Sequence, residues 1–384
     1  MKGKHPFNVV NLMELVGYKP SDMLPAFPGK DQAYVDQLLL DTALMLSRPV
    51  VPYGLLGIHP CRSRYFNITE HGFRFSGKKQ PWPPNPEKIN IFFFGGSSTL
   101  GAVVEDHQTV PAQLQKHLEE KGMGCEVYNF GCGSYAIRHE ALRFLNLLDQ
   151  GMAPDYALFL DGTNDSCYAI GNPDLVNFLD AAYRQEKRRR SQPWIKTLTE
   201  FLMNRPIELP SGLKPDLPAR HTEVATLTSD AGISFMLQVS NRQLAPSEMG
   251  KAHEVVARAV WENYLDSAAI IRALGARRKT RTFFFWQPTS LYMTEQKQRI
   301  LDRLAYGFRF FAFISATYHW LHANDFPSMK ESPDFFDLSL LGTSLEGVLY
   351  SDMGHYTSPF AARIAEQICA HLLPAMSALR PHHP

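Results

Sequence analysis

The feature that most constrains this chain is a rhythm that starts at Ile89-Asn90-Ile91-Phe92-Phe93-Phe94. A short, almost unbroken run of branched and aromatic residues reads as a strand buried on both faces. A helix follows. Thr109 caps it, Val110 and Pro111 fill its first turn, and Leu114 and Leu118 carry its apolar stripe towards Gly122. Glu126–Phe130 reads as a second strand, and Ile137–Leu148 as an amphipathic helix that Gly151 stops. Tyr156–Leu160 is a third buried strand. Strand, helix, strand, helix, strand with short links call for a mostly parallel sheet covered on both faces, a three-layer α/β/α architecture.

Residues 166–251 interrupt the rhythm with scattered prolines, Arg184 and the basic run Lys187-Arg188-Arg189-Arg190. That run is either a solvated helix end or a patch for an anionic group. The pattern resumes with a helix around His253–Leu274, the strand Arg281–Trp286, and a last helix opening at Ser358-Pro359 with Ile364, Ile368 and Leu372 on one face. Residues 1–89 are rich in Pro, Gly and aromatics, with one helix near Asp31–Leu46 and a stiff linker by composition at Pro81–Pro86. The 384 residues therefore divide into an extension, 1–89, packing on the core, and one domain, 90–384, with 166–251 inserted into it.

Composition narrows the function. Lys and Arg total 39 against 38 Asp and Glu, a net charge of +1, so the basic excess of a dedicated nucleic-acid binder is missing. No apolar run reaches membrane-spanning length. The five cysteines are odd in number, far apart and free of any CxxC, so neither a disulfide framework nor a metal site is expected. Asn8, Asn11 and Glu14 interrupt any apolar leader, which predicts a cytoplasmic chain.

Chemistry concentrates in the turns after the strands. Gly95-Gly96-Ser97-Ser98-Thr99-Leu100-Gly101 leaves the first strand at the carboxyl edge of the sheet, where open α/β folds bind ligands. A phosphate loop needs Lys-Ser/Thr after the second glycine, and Ala102-Val103 stand there. A plain turn and a nucleophilic serine remain; the spacing is not the G-x-S-x-G elbow. Gly131-Cys132-Gly133-Ser134-Tyr135-Ala136 matches a dinucleotide fingerprint in outline, but Asp161 lies 30 positions after Gly131, where about 20 are expected. The other reading is a loop that aims a backbone N–H at an oxyanion. Asp161-Gly162-Thr163-Asn164-Asp165 is either a polar turn or a side-chain donor at the same edge. Asp352 and His355, three apart before the last helix, can form an orienting pair in which the imidazole keeps one nitrogen for a serine proton.

Taken together, GGSSTLG, NFGCGSY, GTND and DMGH resemble, in order and in placement after successive strands, the four blocks of the SGNH (GDSL-type) hydrolase superfamily. The resemblance covers residues 90–165 and 252–373. Tyr65-Phe66-Asn67 and Gly72-Phe73-Arg74 also look like the lead-in of a bacterial subgroup. The resemblance implies a flavodoxin-like α/β/α sheet and a serine esterase without cofactor or metal. Ser97 matches the nucleophile, His355 the general base and Asp352 its orienting acid. The oxyanion hole falls on the Ser97 and Ser134 N–H groups and the Asn164 side chain. Two positions depart from the pattern: Gly96 stands where the family has Asp, and Ser134 where it has Gly.

The expected reaction is cleavage of a carboxylic ester of a small molecule, glycan or lipid through an acyl-enzyme. An O-acyltransferase on a sugar or metabolite with the same triad, and a non-catalytic binding protein on a hydrolase scaffold, are the alternatives. Trp286 and Gln287 end a strand at the same edge and are the expected substrate contacts. Acyl length, leaving group and oligomeric state are not written in the sequence.

Overall fold

The computed structural model describes residues 23–46, 49–169, 246–292, 308–324, 326, 332–351 and 354–377. In chain order the elements are α1 (Gln32–Thr42), β1 (Val50–Val51), β2 (Leu55–Leu56), β3 (Ile89–Gly95), α2 (Ser97–Leu100), α3 (Val110–Glu120), β4 (Cys125–Asn129), α4 (Ile137–Asp149), β5 (Tyr156–Asp161), α5 (Thr163–Ala169), α6 (Pro246–Arg278), β6 (Arg281–Trp286), α7 (Phe308–Asn324), β7 (Phe335–Asp337) and α8 (Ser358–Ser377). The basic run Lys187–Arg190, most of the insertion and Asp352 lie outside the described residues.

Five strands form one sheet in the order β4-β3-β5-β6-β7. Every pairing is parallel; Phe93 sits opposite Asn129 on one side and Leu158 on the other. The carboxyl ends of all five strands therefore share one edge. Side chains alternate across the sheet as the pleat requires. Phe92, Phe94, Tyr128, Phe159, Phe284 and Trp286 face α4, α6 and α7. Ile91, Phe93, Val127, Leu158, Leu160, Phe283 and Phe285 face α3 and α8. This is the three-layer α/β/α fold that the rhythm predicts, with helices on both faces of an all-parallel sheet.

Local chemistry sets the helix starts. Thr109 accepts from the Ala112 N–H at 3.2 Å to open α3, and Asp31 accepts from the Tyr34 N–H at 2.9 Å to open α1. On α8, Phe360, Ile364, Ile368 and Leu372 are wholly buried on one face. Among the described residues no helix is long and apolar enough to cross a membrane.

The stretch at Pro81–Pro86 is not a spacer. Trp82 packs on Phe73 and Phe92 at ring separations of 5.4 and 6.0 Å, and the Tyr128 hydroxyl donates to the Pro81 carbonyl. Proline composition predicted stiffness; the indole supplies the anchoring that composition does not report. Further upstream, Arg74 pairs its backbone with Asn129 beside β4. Val35, Leu38, Tyr65 and Phe66 close over Leu100 and Val103. The extension thus packs against the segment that leaves β3, which brings it next to the serine turn.

Candidate active site

The turn after β3 is built by close approach. A side chain at Gly96 would have its Cβ 2.4 Å from the Asn164 amide nitrogen and 3.1 Å from the Tyr135 carbonyl oxygen. A side chain at Gly131 would have its Cβ 2.2 Å from the backbone nitrogen of Leu100. The glycine loop lies directly on the α2 backbone, and only glycine fits there. Asn129 fixes the same contact from the end of β4: its amide donates to the Thr99 carbonyl at 3.1 Å, and its oxygen accepts from the Gly131 N–H at 3.0 Å.

Ser97 opens α2, half-buried, with Gly96 at the cap position. Its neighbour Ser98 is buried, and its hydroxyl donates to the Gly354 carbonyl at 2.7 Å across 256 positions of sequence. An amide oxygen is no base, so Ser98 is held as a donor and Ser97 is left as the serine at the mouth of the turn. The same hydrogen bond puts the His355 loop beside the serine block. That loop is closed on itself. The Ser351 N–H and hydroxyl both donate to the His355 carbonyl, at 2.9 and 3.1 Å, and Tyr350 bridges Tyr356.

Asn164, at the start of α5, donates one amide hydrogen to the Tyr135 carbonyl at 2.6 Å. The amide carries a second hydrogen, and the group sits against Gly96, on the N-terminal side of Ser97. Ser134 occupies the tip of the turn from Cys132 to Tyr135, exposed, with φ of 62°. That is the left-handed region glycine favours. It explains why the SGNH pattern has glycine at this position and what serine tolerates there. At Gly96 the Asn164 amide fills the space a side chain would need.

Both expected substrate contacts are buried. Trp286 is wholly buried in the aromatic layer against Tyr264 and Tyr318, at 5.1 and 5.5 Å between rings. The buried Gln287 amide donates to the Thr163 hydroxyl at 2.5 Å. Strand ends alternate between edge and core, and here both side chains turn inward. Gln287 braces the residue before Asn164; it does not reach outward.

Sequence reasoning missed a second layer beneath the site. Asp165 accepts from the Ile137 N–H at 3.2 Å and the Gly162 N–H at 3.0 Å, tying the start of α4 to the start of α5. Burial pushes its carboxyl up to about 6, against the pull of those two N–H groups. Below it, Glu140 and Asp161 are wholly buried and face each other. No N–H or hydroxyl among the described residues donates to any of their four oxygens. Burial raises both far above the ordinary carboxylate range. Two facing carboxyls buried in this way cannot both ionise, so the pair holds at least one proton. Asp161 lies too far from Gly131 for a dinucleotide fingerprint; what marks it is burial, which a single sequence does not report.

No protein-family model and no curated protein matches the chain. Solved structures do. One is a lipolytic protein of the G-D-S-L family from Desulfitobacterium hafniense, 12% identical with a TM-score of 0.36, covering 74% of this chain and 100% of that one. Another is a family 3 carbohydrate esterase from Clostridium thermocellum, 11% identical, TM-score 0.35, covering 77% and 100%. A GDSL-like lipase from Bacteroides thetaiotaomicron is 9% identical, TM-score 0.31, covering 78% and 94%. In this fold the Ser, Gly and Asn blocks leave adjacent strands, and the His355 loop meets the first of them.

Proposed function

We propose that the chain is a serine ester hydrolase of the SGNH type that cleaves a carboxylic ester through an acyl-enzyme on Ser97. The observation that carries this reading is the convergence on one turn. Gly96 lies under the Asn164 amide, and Ser98 holds the peptide next to His355.

In the first half-reaction the Ser97 oxygen attacks the ester carbonyl carbon while its proton passes to His355. The Ser97 and Ser134 N–H groups and the second Asn164 hydrogen stabilise the oxyanion. The alcohol leaves with the proton from His355. Water then repeats the sequence, releasing the acid and restoring Ser97. Asp352, three positions before His355, orients the imidazole in this scheme.

The test is an ester panel from acetyl to long acyl, acetylated sugars included, together with labelling by a fluorophosphonate. Ser97→Ala is expected to abolish both turnover and labelling. Asn164→Ala is expected to keep labelling and lose about 10²–10³ in kcat, the usual effect of one oxyanion donor. Wild-type turnover by Ser97→Ala would overturn the assignment.

A further inference from the structure

Two serines stand side by side in the first block, and the reading above gives a chemical step only to Ser97. Resting on that reading, we propose that Ser98 is a positioning residue that locks the general-base loop to the nucleophile turn. The Ser98 hydroxyl donates to the carbonyl of Gly354 at 2.7 Å. That carbonyl belongs to the peptide unit that ends at the His355 nitrogen. On the other side, the His355 carbonyl accepts from both the N–H and the hydroxyl of Ser351. The peptides before and after His355 are therefore both pinned, one to its own loop and one to α2.

The Ser98 bond matters because it joins two segments that are far apart in the chain. Ser97 and His355 ride on separate segments: α2 leaves β3, and the His355 loop leads into α8 on the α3 face of the sheet. Proton transfer requires the two side chains to meet within hydrogen-bond reach. A donor one residue from the nucleophile and an acceptor one residue from the base is the shortest path by which backbone can set that distance. Ser98 is largely buried, which limits competition from water for the bond. Tyr356, the next residue after the base, is anchored in turn by its hydroxyl on the Pro288 carbonyl at 3.0 Å. The loop is therefore attached towards β6 at Pro288 and, through Ser98, to the nucleophile turn.

The experiment compares Ser98→Ala, Ser98→Cys and Ser98→Thr with wild type, with Ser97→Ala as the inactive reference. Ser98→Ala is expected to lower kcat about 10–100-fold with KM within twofold, because a misplacement of about an ångström at the reacting groups has that effect. Ser98→Cys keeps the size of the side chain but is a weak donor, so it should fall almost as far. Ser98→Thr keeps the hydroxyl and should return to within about threefold. A second readout does not depend on activity. Amide exchange at Ser351, whose N–H is held by the His355 carbonyl, should quicken in Ser98→Ala and not in Ser98→Thr, while exchange at Phe93 in β3 stays unchanged. Wild-type kcat in both Ser98→Ala and Ser98→Cys overturns the proposal, as does an equal loss in the folded Thr variant. If instead Ser97→Ala remains active, the esterase reading fails, and exchange at Ser351 still decides whether Ser98 holds the loop.

Discussion

Two buried charged clusters support the same sheet edge, and they are built on opposite principles. Under the serine turn lies Arg74, fully buried, with every N–H used. Its Nε donates to Asp106 at 2.8 Å, one terminal nitrogen to the Leu100 and Gly101 carbonyls, and the other to the Tyr65 and Val104 carbonyls. Its plane also stacks over Phe66 at 4.4 Å. Under the Asn164 side lie Glu140 and Asp161, equally buried, whose oxygens receive no N–H or hydroxyl donor among the described residues. The first cluster is a charge whose donors are all matched. The second is a proton holder. A guanidinium cannot discharge, so the fold must satisfy it with five acceptors; a carboxyl can discharge, so a shared proton suffices.

The comparison breaks most visibly at Arg74. Arg74→Met removes all five donors at once and leaves Asp106 with only the Asn67 backbone and side-chain donors. We expect a loss of about 3–5 kcal/mol, the range for removing one member of a buried ion pair. Urea unfolding measures it directly. Arg74→Lys offers three donors in place of five and should recover only part. A loss below about 1 kcal/mol would show that the carbonyls find other donors and that the satisfied cluster is not a lock.

The acid cluster should respond to pH in the reverse sense from an ordinary salt bridge. Asp165 has a native value of about 6, against about 4 in an unfolded chain. Between those values the native state binds the extra proton, so stability falls as pH rises through that window. Glu140 and Asp161 are raised further, and extend the decline above it. Thermal melts at pH 5, 6, 7 and 8 should fall monotonically over this contribution. Glu140→Gln replaces a shared proton with a permanent amide donor. It is expected to add about 1–3 kcal/mol at pH 8 and close to nothing at pH 5, the scale of relieving one unsatisfied buried group. An identical effect at both pH values would mean that the pair is not titrating.

The contrast between the clusters also marks how far the sequence could be read. Ile89–Phe94 and Arg281–Trp286 were legible because a strand buried on both faces leaves an unbroken apolar run, and the observed β3 and β6 match them closely. The strand β7, three residues long at Phe335–Asp337, carries too short a pattern to separate from a loop. Helix α7 hides because Phe308-Arg309-Phe310-Phe311-Ala312-Phe313-Ile314 is apolar nearly all round, so no stripe emerges. The serine, glycine and asparagine blocks were legible as turns at the sheet edge because they carry the residue types such turns need. Their supports were not. Arg74, Asp106, Glu140 and Asp161 meet from 32 and 21 positions apart, and ordinary charged residues announce nothing about burial. Gln287 shows the same limit: its place at a strand end was readable, its inward turn was not. Gln287→Ala is therefore expected to cost about 1 kcal/mol of stability, one buried hydrogen bond to Thr163, and to leave KM for the ester panel within twofold. A KM raised tenfold with unchanged stability would restore it as a substrate contact.

The smallest expected effect is the sharpest probe of the proton holder. Tyr264 is buried on α6, packed against Trp261 and Trp286 at 5.5 and 5.1 Å between rings. Burial raises its hydroxyl pKa, with Asp161, Asp165 and Glu140 adding to the rise, and the hydroxyl has no hydrogen-bond partner among the described residues. If the carboxyls share their own proton they do not need this hydroxyl. Tyr264→Phe then keeps every ring contact, removes a desolvated polar atom, and should leave stability within about 0.5 kcal/mol at pH 7. If the variant costs more than about 1.5 kcal/mol, Tyr264 is donating to the pair. The acid cluster would then be satisfied by a side chain, as Arg74 is, and the opposition between the two supports would disappear. Measuring Tyr264→Phe in the Glu140→Gln background separates the cases, because a hydroxyl that serves the pair changes its effect when Glu140 is replaced, and one that does not costs the same in both backgrounds.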